Sequence, residues 1–143
     1  MTLSQNLHTL DVRTDGKGLF EINRQLQSWL DLIHAKDGLL TLFIRHTSAS
    51  LTVQENADPT VALDLVDALE GLAPERPDYR HCSEGPDDMP SHIKSMVTQT
   101  QLAVPVQGGQ MVLGTWQGVF VIEHRVRPNT RKVALHYLGN SIR

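Results

Sequence analysis

A single cysteine, Cys82, means that no disulfide can form within the chain and fits a reducing compartment, so a cytoplasmic setting is expected. No apolar run is long enough to span a bilayer, and no membrane partner is expected. Basic residues form no run or stripe, and the formal net charge is -3, so nucleic acid is not an expected partner. Residues Met1 to Leu10 carry no basic side chain and no apolar signal core, so export is not expected either. There is no internal repeat, linker or low-complexity segment. The 143 residues therefore fit one domain, 1–143, with a core of reasonable size.

What is present reads as short strands in groups. Leu7 to Arg13 is a first strand and Asp15-Gly16-Lys17-Gly18 a turn. Phe20, Ile22, Leu26, Trp29, Leu30 and Ile33 recur near helical spacing, which predicts an amphipathic helix over Leu19 to Ala35 closed by Asp37-Gly38. Leu39 to Arg45 reads as a buried strand, and Leu51-Thr52-Val53 as another. Asp58-Pro59 opens a helix, aspartate as cap and proline in its first turn, that runs to Gly71. Leu72 to Pro90 is an irregular loop, and Ser91 to Gln99 a short helix. Leu102 to Val106 and Met111 to Leu113 flank Gln107-Gly108-Gly109-Gln110, a hairpin turn. Val119 to Arg125 and Arg131 to Leu138 complete the set, joined at Pro128-Asn129. This order predicts an α+β fold with mainly antiparallel strands, in the form of a β-sandwich flanked by helices.

Seven histidines are many for this length, and several stand beside carboxylates or hydroxyls. His46 opens Thr47-Ser48-Ala49-Ser50, a run that either binds an oxyanion and orients the imidazole or closes a turn by local hydrogen bonds. Glu55-Asn56 precedes the Asp58 cap, where a carboxylate serves the helix dipole, a metal or general-base chemistry. His81 and His92 bracket Glu84, Asp87 and Asp88, the donor types that suit zinc, although the spacing matches no compact zinc motif and a solvated acidic loop is the plainer reading. In Gly114-Thr115-Trp116-Gln117-Gly118 the glycines let the backbone bend, and Thr115 and Gln117 share one face; a strand end with a buried Trp116 is the alternative. Glu123 and His124 point to opposite faces of their strand. Lys94 and Arg131 offer positive charge for a phosphate, or are merely solvated. His8, His34 and His136 read as structural, and Cys82 as incidental.

His46-Thr47-Ser48-Ala49-Ser50-Leu51, Glu55-Asn56-Ala57-Asp58-Pro59, Tyr79-Arg80-His81, Glu84-Gly85 through His92-Ile93-Lys94, and Gly114-Thr115-Trp116-Gln117 with Gly109 upstream occur in that order. Together they closely resemble the YjbQ-like family, also called the secondary thiamine-phosphate synthase family. The resemblance implies a homotrimer with a polar pocket near a subunit boundary, where histidines and a carboxylate hold a divalent metal, zinc or magnesium, or an anion. It also implies a weak transferase activity on small phosphorylated metabolites, joining hydroxymethylpyrimidine diphosphate to thiazole phosphate with release of pyrophosphate. A binding protein without catalysis is the alternative. Carried over by position, the catalytic candidates are His46, Ser48, Glu55, Asn56, Asp88, Thr115, Gln117 and Glu123. Lys94 and Arg131 are the anion-binding candidates, and His46, His81 and His92 the metal candidates. The chain departs from the family pattern between Gly85 and His92, which leaves open whether Asp87 or Asp88 takes the acidic role. All these segments are expected to close around one hollow edged by the tryptophan bend.

Overall fold

In the computed structural model, which describes residues 2–142, the elements follow in the order β1 (Ser4–Thr14), β2 (Gly18–Glu21), α1 (Asn23–Leu32), β3 (Ala35–Ile44), β4 (Ala49–Glu55), α2 (Pro59–Leu72), α3 (Asp88–Val97), β5 (Gln101–Gln107), β6 (Gln110–Met111), β7 (Gln117–Glu123) and β8 (Asn129–Ser141). The fold is α+β, as the strand grouping predicts. One sheet has five strands in the order β1-β8-β3-β5-β6, the other three in the order β2-β7-β4. The strand pairings are antiparallel.

Alternation places the core. Leu102, Val104 and Val106 of β5 are buried while the residues between them are exposed. Val133, Leu135 and Tyr137 of β8 are buried while Ala134 and His136 between them are half-buried, beside Leu40, Leu42 and Ile44 of β3. These side chains form one apolar cluster with Leu51, Val119 and Val121 of the smaller sheet and Leu26 and Leu30 of α1. Each such aliphatic side chain, fully buried, contributes about 1.5–3 kcal/mol.

The predicted first helix begins too early. Gly18–Glu21 is a strand, with Leu19 opposite Ile122 and Phe20 opposite Val121, and α1 starts at Asn23. Phe20 and Ile22 are two apart, a spacing that fits a strand as well as the rim of a helical stripe, and pairing with β7 decides it. Gly38 does not end the helix. It lies within β3 against Gly139 of β8, where an added Cβ would sit 2.4 Å from the Leu138 carbonyl oxygen. The hairpin turn is confirmed: Gly108 and Gly109 have φ of +59° and +80°, the left-handed pair that a tight two-residue connection needs.

Helix α2 has no fully buried residue. Its Glu70 pairs with the buried Lys94 of α3 and, at 2.9 Å, with Lys17, and this ion triad ties α2 to the rest. Helix α3 starts at Asp88, three residues before the predicted Ser91, so the acidic end of the long loop becomes a first helical turn.

Candidate metal centre

The start of α3 sets Asp88 and His92 four residues apart, one turn along a single face. The preceding loop folds back and brings His81 to the same carboxylate. His81 Nε2 lies 2.6 Å from Asp88 Oδ2, and His92 Nε2 lies 3.2 Å from the same oxygen. The donor atoms of the three residues all fall within 4.8 Å of one another.

His92 Nδ1 is 2.8 Å from the Thr47 carbonyl oxygen. A carbonyl can only accept, so Nδ1 carries the proton, and in the neutral ring the Nε2 lone pair is left facing Asp88 Oδ2. A lone pair and a carboxylate oxygen at that separation need a proton or a cation between them. An imidazole whose far nitrogen is anchored on a backbone carbonyl is also the usual arrangement of a metal-ligating histidine.

Arg125, which the sequence reading did not single out, holds the other side of the carboxylate. Its Nη1 donates to Asp88 Oδ1 at 2.6 Å, its Nε to Asp87 Oδ2 at 3.0 Å and its Nη2 to the Glu84 carbonyl at 2.9 Å. Asp87 also accepts from the Val126 amide at 2.9 Å. Of the two aspartates, Asp88 faces the imidazoles as well as Arg125, and Asp87 faces Arg125 and the Val126 amide. Burial pushes the Asp88 carboxyl up, but the hydrogen bond from His81, the interaction with His92 in its protonated form and the positive charge of Arg125 outweigh it and hold it below its ordinary value.

A second buried network lies behind the first. Glu123, 1% exposed, accepts from Arg131 Nε at 2.7 Å and from Thr14 Oγ1 at 2.6 Å. Burial raises the Glu123 carboxyl, and Arg131 and Thr14 more than reverse it. The Arg125 amide donates to Glu123 Oε2 at 3.1 Å, which joins the two networks. Arg131 also reaches the Ser48 carbonyl at 3.2 Å. On the opposite face of β7's end, His124 Nε2 lies 2.8 Å from Ser50 Oγ, and burial followed by the charge of Lys94 lowers its pKa to about 4.

Several expected roles do not fit these positions. His46 is not in the His81–Asp88–His92 cluster: the Lys132 amide donates to its Nε2 at 2.7 Å, and its Nδ1 faces Arg131 Nη1 at 3.3 Å, so no lone pair is free for a metal. Burial, then the charge of Arg131, lowers its pKa. Ser48 contributes its carbonyl to the network. Arg131 and Lys94 are buried and neutralised by Glu123 and Glu70, which leaves neither available as a phosphate-binding cation.

Glu55, Asn56, Thr115 and Gln117 lie elsewhere. Because β4 and β7 run antiparallel, Ala49 faces Glu123 at one end and Glu55 faces Gln117 at the other. Six residue steps of strand separate those ends by about 20 Å. Within one chain the tryptophan bend therefore does not edge the histidine cluster. Gln117 Oε1 accepts from the Gly114 amide at 2.7 Å and closes its own turn. Asn56 donates to Glu21 at 2.7 Å. Thr115 is exposed, and Trp116 is 64% exposed rather than buried.

With this geometry established, comparison with known proteins places the chain. The family model described as UPF0047 protein YjbQ-like matches residues 8–140. The chain belongs to the YjbQ-like UPF0047 family. It is 48% identical to the UPF0047 protein sll1880 of Synechocystis, over 96% of this chain and 95% of that one. It is 40% identical to the UPF0047 protein YjbQ of Escherichia coli O157:H7, over 87% and 91%. Among solved structures, a conserved hypothetical protein of Thermus thermophilus superposes with a TM-score of 0.79 at 40% identity, covering 89% of this chain and 97% of that one. A YjbQ/UPF0047 family protein of Clostridium acetobutylicum gives 0.83 at 28% identity, covering 91% and 98%. Among the described residues, no helix is long and apolar enough to cross a membrane.

Proposed function

We propose that this YjbQ-like protein holds a divalent metal at His81, Asp88 and His92 and acts there on a small phosphorylated metabolite. The reaction proposed is a weak thiamine-phosphate synthase-type transfer, from hydroxymethylpyrimidine diphosphate to thiazole phosphate. The observation that carries the reading is the convergence of two imidazoles on one oxygen of a buried carboxylate whose other oxygen is held by Arg125. Two nitrogen donors and one oxygen suit zinc better than magnesium, which prefers oxygen and water.

In this transfer the thiazole nitrogen bonds to the pyrimidine methylene carbon as the carbon–oxygen bond to the diphosphate breaks. Pyrophosphate leaves with the bonding pair, and no proton has to be removed from the attacking nitrogen. The demand on the site is therefore charge neutralisation of the leaving group, which a bound metal supplies as a Lewis acid. His81 and His92 present ring nitrogens, Thr47 fixes the tautomer of His92, and Arg125 holds Asp88 Oδ1 so that Oδ2 faces the imidazoles. A second reading, binding without turnover, is favoured by one observation: Lys94 and Arg131, the cations expected to assist departure, are buried in ion pairs.

The finer architecture belongs to the same proposal. The two sheets are read as a β-sandwich, in a cytoplasmic protein that assembles as a homotrimer. Exposed Trp116, Val112 and Leu63 supply apolar surface that association would cover. With site residues divided between two ends of the β4–β7 pair, a trimer would allow ends from different chains to meet.

A coupling assay with labelled pyrimidine diphosphate and thiazole phosphate tests the reaction. Zinc-loaded wild type is expected to form product at least tenfold faster than His92→Ala. Equal traces from both would remove the transfer from this site.

A further inference from the structure

A cleft of about 730 Å³ adjoins the candidate metal centre, within the size range of small-molecule sites. It is lined by Phe43, Arg45, His46, His92, Ser95 and Met96, among others, and His92 belongs to both cleft and centre. Its lining mixes apolar and polar side chains. Phe43 and Met96 are 48% and 79% exposed, an apolar surface without cover in the single chain. Thr47, Ser95 and Thr100, which carry hydroxyls, are also among its lining residues.

Arg45 is the one lysine or arginine among the residues lining the cleft, and the buried or paired cations around it are engaged elsewhere. Arg131 is held by Glu123, Lys94 by Glu70, Arg125 by Asp87 and Asp88, and Lys132 by Asp11 at 2.9 Å. Arg45 is exposed, lines the cleft and makes no ion pair among the described residues. It follows Ile44, whose side chain enters the core, so the strand's alternation turns Arg45 outward and its guanidinium is not committed to the fold. A free, planar, five-donor cation beside hydroxyls is the type of group that takes a phosphate in bidentate fashion.

We propose that Arg45 is the phosphate-binding cation of this cleft, and that the ligand is an organic phosphate or diphosphate whose apolar ring lies against Phe43 and Met96. The inference rests on the proposed metal and phosphometabolite site and identifies the residue that would recognise its anion. Lys94 and Arg131, at the expected positions, act inside the fold. The polar end of the ligand meets Arg45, Ser95 and Thr47, and its ring displaces water from the methionine and phenylalanine surface.

Calorimetry with inorganic pyrophosphate and phenyl phosphate tests this on the full chain, with zinc titrated separately. Arg45→Gln is expected to weaken both anions about 10- to 100-fold, the scale of one lost charged hydrogen-bonding group. Arg45→Lys should recover part of the loss. Met96→Gln should weaken phenyl phosphate severalfold and leave pyrophosphate unchanged. Both side chains are exposed, so the variants should fold, which circular dichroism confirms. Unchanged anion affinity in Arg45→Gln, or no anion binding to a wild type that binds zinc, would overturn the assignment. Anion binding that depends on Arg45 in a protein that takes up no zinc would uphold Arg45 and remove the metal reading instead.

Discussion

Acidification offers a quantitative test of the buried network, because His124 is held neutral. Its folded pKa is about 4, against an ordinary value of 6.5, through burial and the nearby Lys94 charge. The unfolded chain therefore takes up a proton at this site before the folded chain does. Stability is fully present above the unfolded value, falls as pH drops below 6.5 and levels off below the folded value. From pH 7 to pH 5 this one group removes about 2 kcal/mol. The carboxylates of Asp87, Asp88 and Glu123 act lower: their folded values are depressed, so their stabilisation is lost only as pH falls through the carboxylate range. His46 titrates in the same direction as His124 and adds to the slope. Urea unfolding of wild type and His124→Asn at both pH values separates them. The variant should be less stable at pH 7, since the Ser50 contact changes, yet lose about 2 kcal/mol less on acidification. Identical losses in the two proteins would show that His124 is not held neutral by the fold.

Other perturbations have equally definite outcomes. Arg125→Leu leaves Asp87 and Asp88 without their guanidinium, and should cost about 3–5 kcal/mol in chemical denaturation and weaken zinc binding. Glu123→Gln strips the buried Arg131 of its counter-charge and should lower the melting temperature by a similar free-energy loss, with Thr14 retaining a partner. Gly38→Ala drives a methyl into the Leu138 carbonyl and the Gly139 backbone, which cannot yield as a side-chain tip can, and the variant should unfold or fail to accumulate on expression.

Much of this molecule is legible in its sequence where a local rule acts alone. Leu102, Val104 and Val106 alternate, Gly108-Gly109 dictates a tight turn, and Asp58-Pro59 starts α2, with Asp58 Oδ1 accepting from the Thr60 amide at 2.9 Å. His81 and His92 stand out because they flank carboxylates with matching donor chemistry. Other features depend on tertiary pairing. Phe20 and Ile22 satisfy two periodicities at once, and only the partner strand β7 selects between them. Lys94 and Arg131 look like free cations until the partners brought from positions 70 and 123 are known. Gln117 lies about 20 Å of strand away from Glu123, because the β4–β7 register sets Glu55 and Gln117 at one end of the pair and Ala49 and Glu123 at the other. Arg125 carries no motif, and its two aspartates lie 37 and 38 residues away in the chain.

The most direct test of the central claim is zinc titration of tag-free protein after chelator treatment, followed by calorimetry at neutral pH. One zinc per chain is expected, with affinity reduced at least tenfold in His81→Ala, Asp88→Asn and His92→Ala and unchanged in His46→Ala. Binding that ignores all three cluster substitutions, or none in the wild type, would contradict the metal centre and with it the proposed chemistry.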